Sequence, residues 1–427
     1  RDTLHITTRL LDGQSGAEAN STVITVPRTE LFAARDSIST ILSRDLRKMI
    51  GAELTYRTER AETHDVTAWI LLQRGEQSLR RAREATRHGQ VDAALSRFRR
   101  ADSVFGAAER SDSAWVDPTV GRSRTWYRTS RALFEVAGDR HRALDAAETG
   151  LRHAERALDR DPSHPGALEM KGTLRYWQWL IGGVTDPEKR RALIEAAEKD
   201  LEAAVDTDPD LATAYGTLSH LRYQPPVRDL VGVTLAARRA YEADAYLEHA
   251  DRILWYLFRA HQDLGQFGEA RRWCREGRNR FPGDYRFRLC RLRLLTTEEM
   301  EPGVPEAWRL VEEVDSLAPA DRRAFHRTQA EMYAAGVLAS AGYSDSARSV
   351  LARARDRVTP RMDPRDFLLG VEAYTRVLLG EEERAIELLS RYVSAHPEHE
   401  FSVAGEISWR WRGLQDNPEF RRIRGSR

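Results

Sequence analysis

Residues 251–282 read DRILWYLFRAHQDLGQFGEARRWCREGRNRFP, and this stretch decides the fold. Its first half spaces large apolar side chains three and four positions apart, which is the period of an amphipathic helix. Its second half places small side chains where a second helix would cross the first, and Gly and Pro mark the turn and the end. The residues that carry this pattern are Leu254, Leu257, Phe258, the turn Leu264-Gly265-Gln266-Phe267, Ala270, Cys274, Gly277 and Pro282. The stretch predicts two antiparallel helices that approach each other closely.

The same frame recurs along most of the chain. Strong copies lie at 366–397 (Gly380, Ala385, Leu389, Tyr392, Pro397), at 328–359 (Gly342, Ala347, Leu351, Ala354) and around 197–218 (Ala197, Leu201, Ala204, Pro209, Tyr215, Leu218). Weaker copies lie at 285–319, at 67–105 and at 119–162, the last with an extended second helix. Self-similarity at a period of roughly 34 residues indicates an array of stacked helix pairs. The sequence therefore predicts about seven units, with insertions, over residues 61–427.

These residues resemble the tetratricopeptide repeat family. The resemblance implies an all-α fold in which helix pairs stack into a right-handed superhelical array with a concave face. It also implies a role in holding protein partners, because repeat arrays of this kind bind along their concave surface.

A different pattern opens the chain. Residues 4–26 alternate apolar and polar side chains on either side of a Gly-containing break, which predicts a short N-terminal β-hairpin, and a helix is expected to follow it through Ile50. These residues, with the ending WRWRGLQDNPEFRRI at 409–423, resemble the TolB-like domain and the array terminus of bacterial signalling proteins. The resemblance implies that residues 1–60 are the remnant of an α/β domain. It also implies a bacterial protein, either cytoplasmic or the extracytoplasmic part of a membrane-anchored one, with a serine/threonine kinase, adenylate cyclase or transcriptional activator among its parents.

Charge and motifs limit the classes of function. The 427 residues carry 67 Lys and Arg against 66 Asp and Glu, so the net charge of +1 predicts neither a nucleic-acid partner nor an anionic membrane surface. Apolar runs in the sequence are too short for direct membrane insertion. The sequence contains none of the Gly-rich phosphate loops, nucleophile elbows or HExxH signatures of common enzymes. His396 and His399 are close together, but nearby surface histidines rarely bind a metal. We therefore predict no catalysis, no cofactor and no metal.

The two cysteines leave one question open. Cys274 and Cys290 lie eight residues before and eight after Pro282, so antiparallel packing of the flanking helices would bring them together. Cys274 also occupies a small-residue core position, for which a reduced cysteine serves equally well. The sequence favours the reduced state and leaves a disulfide as the alternative.

The tetratricopeptide resemblance also implies which positions line the concave groove. In the two units that begin at Asp251 and Tyr285, and on the helix before them, these positions hold Arg252, Trp255, Arg259, Gln262, Arg286, Leu289, Arg293, Thr296, His220 and Tyr223. Arginine offers paired donors to carboxylates, and Trp255 offers a flat anchor. The predicted partner is therefore a protein or an acidic peptide held in the groove.

Two other functions stay open at this point. The array could associate with itself through its outer faces or terminal helices, giving a homo-oligomer. It could also be a helical-repeat enzyme whose active site is assembled from separated side chains in the groove, although repeat arrays mostly bind. A deep pocket with convergent carboxylates would favour the enzyme, and a basic trough would favour the binding protein.

Overall fold

The computed structural model describes residues 3–11, 18–27, 63, 65–224, 227–244, 249–396 and 409–423. The chain divides into two compact units, Arg1–Gly183 and Val184–Arg427. A boundary at residue 60, expected from the resemblance to a TolB-like domain, stays a prediction.

Two strands open the first unit. β1 (Thr3–Leu11) and β2 (Glu18–Pro27) pair antiparallel, with Ile6 opposite Ile24 and an irregularity between Leu10 and Leu11. The helix expected after them, through Ile50, lies outside the described residues.

Helices make up most of the first unit from residue 66 onward. Its helices are α1 (Val66–Arg87), α2 (Val91–Ser111), α3 (Asp117–Glu135), α4 (Arg140–Leu158) and α5 (Pro165–Leu180). α1 begins at Asp65, whose carboxylate accepts hydrogen bonds from the backbone N–H of Thr67 (2.7 Å) and Ala68 (3.0 Å). α1 packs on α2 and α3 on α4, while α5 packs on α4. The second helix of the copy predicted at 119–162 corresponds to α4.

The second unit continues as helix pairs. Its helices are α6 (Pro187–Thr207), α7 (Ala212–Tyr223), α8 (Leu230–Ala243), α9 (Ala250–Asp263), α10 (Phe267–Arg280), α11 (Arg286–Leu294), α12 (Val304–Leu317), α13 (Arg323–Ser340), α14 (Ser344–Asp356), α15 (Phe367–Leu378), α16 (Glu382–Ala395) and α17 (Pro418–Ile423). A 3₁₀ turn, Arg412–Leu414, precedes α17. Five hairpins follow one another in the described part of this unit: α7/α8, α9/α10, α11/α12, α13/α14 and α15/α16. The predicted helical-repeat character is confirmed.

The α9/α10 hairpin shows why its small residues are needed. Gly265 ends α9 with φ of +72°, a left-handed conformation that glycine adopts without steric cost. Gly277 lies on α10 against the ring of Phe287, which opens the next hairpin. A Cβ atom at Gly277 would lie 2.0 Å from Cε1 of that ring. Gly277 therefore allows a close approach of α10 to α11, the first helix of the next hairpin.

The cysteines settle the question left open by the sequence. Cys274 on α10 and Cys290 on α11 form a disulfide, with their Cα atoms 5.8 Å apart. The expectation of reduced core cysteines is wrong, because antiparallel packing across Pro282 brings both side chains to the same level of the core. The bond closes a loop with a sequence separation of 16. Cross-linking a loop of this length stabilises the folded protein by about 3 kcal/mol.

We expect Gly277→Ala to destabilise the second unit by about 1–3 kcal/mol, because the added methyl group overpacks the contact with Phe287. The matched control is Gly268→Ala on the same helix, where nothing lies within 4 Å of the added Cβ. Urea denaturation followed by circular dichroism would measure both free energies of unfolding. An equal effect of the two substitutions would contradict the close crossing.

Candidate anion-binding site

The first helices of the five hairpins in the second unit share one cavity. Side chains from α7 and the loop after it, from α9, α11, α13, α15 and α16, and from the segment that follows α16 enclose a volume of about 320 Å³. Its polar and charged lining consists of Tyr223, Gln224, Arg228, Tyr256, Arg259, Arg293, Tyr333, Tyr374, Tyr392 and Arg410, and its walls include Trp255, Phe367 and Trp411. The site is thus a basic cavity with aromatic walls.

Asp263 lies beneath the cavity and is bonded to two of the arginines that line it. It is the last residue of α9, and none of its surface is exposed. Its carboxylate accepts hydrogen bonds from the hydroxyl of Tyr223 (2.8 Å), from Arg228 (3.0 Å) and from Arg410 (3.0 Å). A carboxylate at a helix C-terminus meets the negative end of the helix dipole. These three donors offset that repulsion and the loss of water.

The electrostatics of Asp263 follow from its neighbours. Burial by itself would raise the pKa of Asp263, but Arg410, Arg259, Arg228 and Arg293 outweigh it and hold the pKa well below its ordinary value. Asp263 is therefore ionised at neutral pH, and its charge is shared among several guanidinium groups.

Two arginines in the cavity interact with Asp263 only at longer range. Among the described residues, neither Arg259 nor Arg293 forms a side-chain hydrogen bond or an ion pair, and the Nε atom of each is buried without a partner. Arg293 is only 3% exposed. Burial lowers the pKa of Arg293 to about 10, with Arg259 and Arg410 acting in the same direction. Arg293 remains charged at neutral pH although its solvation is lost.

Aromatic rings partly replace that lost solvation. The guanidinium carbon of Arg259 lies 5.3 Å from the ring centre of Tyr223 and 5.7 Å from that of Trp255. That of Arg293 lies 5.6 Å from the ring centre of Tyr333. Such cation–π contacts contribute about 0.5–2 kcal/mol each. They are weaker than the charge-assisted hydrogen bonds that a buried guanidinium can form with an anion.

A second cavity adjoins the first. It measures about 530 Å³ and shares Trp255, Arg259, Arg293 and Phe367 with its neighbour. Arg286, a predicted groove residue that lines only this second cavity, is already paired with Asp251 and Asp284. The carboxylate of Asp363, also on its wall, accepts from the backbone N–H of Phe367 (3.0 Å) and Leu368 (2.7 Å). Asp363, the acidic residue on the described wall of this second cavity, is therefore already hydrogen-bonded within the fold.

The structure brings together some of the predicted groove residues and separates others. Tyr223, Trp255, Arg259 and Arg293 line the first cavity, and Arg286 and Leu289 line the second. Gln262 and Thr296 are buried at 1% and 4% exposure and line neither cavity.

The remaining two predicted residues lie beside the cavity. The ring of His220 stacks on Tyr256, with centroids 5.1 Å apart. Arg252 is half-buried and lines neither cavity. Gln262 is buried at the end of α9, and the expectation that Arg252 and Gln262 line a partner-binding groove together with Arg259 stays a prediction.

Sequence reasoning missed Asp263, Arg410 and Trp411. Arg410 reaches Asp263 because its neighbour Trp409 anchors the segment: the Trp409 indole N–H donates to the Gln262 carbonyl at 2.8 Å. The WRWR run at 409–412 was the available signal. Nothing local in the sequence connects it to α9, since 147 residues separate the bonded partners.

Two further findings concern the described residues. They contain no group of three or more His, Cys, Asp or Glu side chains arranged to hold a metal ion. None of their helices is both long enough and apolar enough to span a membrane.

Comparisons with known proteins give likeness at the level of solved structures. No family model matches the sequence, and no curated protein matches it. A thermophilic tetratricopeptide repeat protein of Thermus thermophilus is 16% identical, with a TM-score of 0.36, over 50% of this chain and 95% of that protein. Yeast Tom70 is 12% identical with a TM-score of 0.37, over 91% and 78% of the two chains. The human IFIT1 dimer with PPP-AAAA is 13% identical with a TM-score of 0.35, over 80% and 87%. The helix pairs of the chain itself, rather than these likenesses, define its fold.

We expect Asp263→Asn to destabilise the second unit by about 3–5 kcal/mol, because it leaves the surrounding buried arginines without their counter-charge. The substitution also removes a pH dependence. Since the folded pKa of Asp263 is depressed, its charge stabilises the fold above the ordinary carboxyl pKa of about 4 and that stability is lost as the pH falls further.

Urea denaturation between pH 7 and pH 2.5 would measure this. The wild type should lose stability below about pH 4 more steeply than Asp263→Asn does. Asp210→Asn, at an exposed position, serves as the control. Parallel pH profiles for the wild type and Asp263→Asn would contradict the account.

Proposed function

We propose that the chain is a non-catalytic binding protein that holds an acidic segment of a protein partner in the cavity lined by Arg259, Arg293 and Arg410. The observation that carries the proposal is the pair of arginines that face this cavity without an acid. A buried guanidinium costs free energy unless an anion accompanies it. A partner carboxylate would provide that anion.

The chemistry of the cavity supports binding over catalysis. Its described lining contains no Asp, Glu, His, Cys, Ser or Lys side chain. Most general acid–base and nucleophilic catalysis uses those groups. Tyrosine can also serve, but burial raises the pKa of the lining Tyr256 and Tyr374 to about 12, which disfavours their ionised form. Arginine, tyrosine and tryptophan are the residues that dominate binding hot spots, and here they line one concave surface.

The wider setting that we propose follows the sequence resemblance. The hairpins would belong to a right-handed array of tetratricopeptide-type units, and residues 1–60 would be the remnant of a TolB-like domain in a bacterial signalling protein. A protein partner is proposed over a nucleic acid because the net charge is only +1, so the chain offers little general attraction to a polyanion.

A selection from a random peptide library displayed on phage would test this proposal. We expect the peptides selected by the full chain to be enriched in Asp and Glu. Arg259→Met should weaken binding of a selected peptide at least about tenfold, because hydrogen bonds to charged groups contribute about 1.5–3 kcal/mol each. Fluorescence polarisation of the labelled peptide would measure the affinity.

The control is Arg275→Met, which removes an exposed arginine of α10 that lines neither cavity. This variant should bind like the wild type. Selected peptides without acidic enrichment, or peptides whose affinity is the same for Arg259→Met and the wild type, would contradict the proposal.

A further inference from the structure

The charges around the first cavity do not balance. Arg228, Arg259, Arg293 and Arg410 line it, and Asp263 is the only carboxylate that the described residues place in contact with them. Three positive charges are therefore left over. A single carboxylate from a ligand would neutralise one of them.

A cluster of arginines in the first unit shows the contrast. There Arg122 pairs with Asp102 (2.8 Å) and Glu109 (3.2 Å), and Arg156 and Arg160 each reach Glu109 at 3.0 Å. In that cluster every arginine has an acid within the fold. In the second unit, Arg293 is more deeply buried than any of these three and has none.

The donors of the cavity are also held in place. Asp263 fixes Arg228 and Arg410 through 3.0 Å contacts, so their guanidinium groups are oriented before a ligand arrives. The indole N–H of Trp411, on the cavity wall, is buried without a hydrogen-bond partner, as are the Nε atoms of Arg259 and Arg293. Preorganised donors of this kind reduce the ordering cost of binding.

We infer that the first cavity binds a phosphoryl dianion, with Arg259, Arg293 and Trp411 as its donors and Asp263 as the positioning residue that holds Arg410 beside them. This inference rests on the proposed function and specifies the ligand group of the same site. A phosphomonoester carries a charge near −2 and three terminal oxygens, so it meets the surplus of charge and of donors better than a carboxylate.

The dimensions indicate what the phosphoryl group is attached to. A volume of about 320 Å³ with walls of Trp255, Tyr256 and Tyr333 accommodates a phosphoryl group and one ring or side chain. The adjoining cavity, with Leu289, Phe325 and Phe367 on its walls, would take an apolar neighbour. In that cavity Arg286 is paired internally, while Arg322 and Arg365 also lie on its walls. The net charge of only +1 favours a phosphorylated peptide over a nucleic-acid backbone.

Calorimetric titration of the full chain with phenyl phosphate and with phenylacetate tests the charge requirement. The two probes share an aromatic ring and differ in the anion. We expect phenyl phosphate to bind at least about tenfold more tightly than phenylacetate. Equal affinities would overturn the inference.

Variants then locate the site. Arg259→Met and Arg293→Met should each weaken phenyl phosphate binding at least about tenfold, whereas Arg275→Met should leave it unchanged. Arg293→Met should at the same time raise the melting temperature, since it removes a buried charge that has no partner. A lower melting temperature with unchanged phenyl phosphate affinity would assign Arg293 a structural role and overturn the inference.

Three further titrations ask which molecule carries the phosphoryl group, and whether the proposed function stands if the phosphoryl inference fails. Tighter binding of a phosphotyrosine peptide than of phenyl phosphate supports a protein ligand, and tighter binding of a 5′-phosphorylated single-stranded oligonucleotide overturns it. An acidic peptide from the phage selection that binds without competition from phenyl phosphate overturns the inference but leaves the proposed function standing. If neither the acidic peptide nor phenyl phosphate binds, both fail.

Discussion

The buried carboxylate of Asp263 connects three parts of the second unit that are distant in sequence. It accepts from Tyr223 at the end of α7, from Arg228 in the following loop and from Arg410 near the C-terminal end of the described chain. The last of these contacts spans 147 residues. One ionised group thus sets the positions of the donors on one side of the cavity, and the apolar contacts of the hairpins set the rest.

The same carboxylate explains why the cavity can be so basic and still fold. Several guanidinium groups lie close to a single negative charge, which partly compensates all of them. The compensation is incomplete at Arg293, whose pKa burial lowers although Asp263 and Tyr333 act in the opposite direction. Neither Arg259 nor Arg293 is bonded to an acid among the described residues, and aromatic rings lie next to both. Natural proteins carry such destabilising arrangements mainly where binding or catalysis needs them. The stability that the array gains from its repeated hairpins offsets this local cost.

The sequence predicted the features that depend on local pattern. The turn at Gly265 follows from residue size and spacing within one hairpin, so it could be predicted from residues 251–282. The small residue at Gly277 was predicted as well, but its neighbour Phe287 lies on the next hairpin. The tetratricopeptide resemblance also implied that arginines occupy the groove positions of α9 and α11. In contrast, Arg286 finds acids in Asp251 and Asp284, and Arg293 finds none, although the two arginines occupy equivalent-looking positions seven residues apart. This difference depends on tertiary neighbours, which no pattern within a hairpin specifies. The disulfide was left open for a related reason, since a buried thiol and a bonded cysteine produce the same small-residue signal.

A crystal structure of the full chain grown with phenyl phosphate would test the central claim most directly, namely that Arg259 and Arg293 are left unpaired for an external anion. The account predicts electron density for the phosphoryl group within hydrogen-bond distance of both guanidinium groups, with Asp263 still bonded to Arg228 and Arg410. A cavity that holds no anion, or in which an acidic side chain of the chain itself pairs with Arg293, would contradict the account.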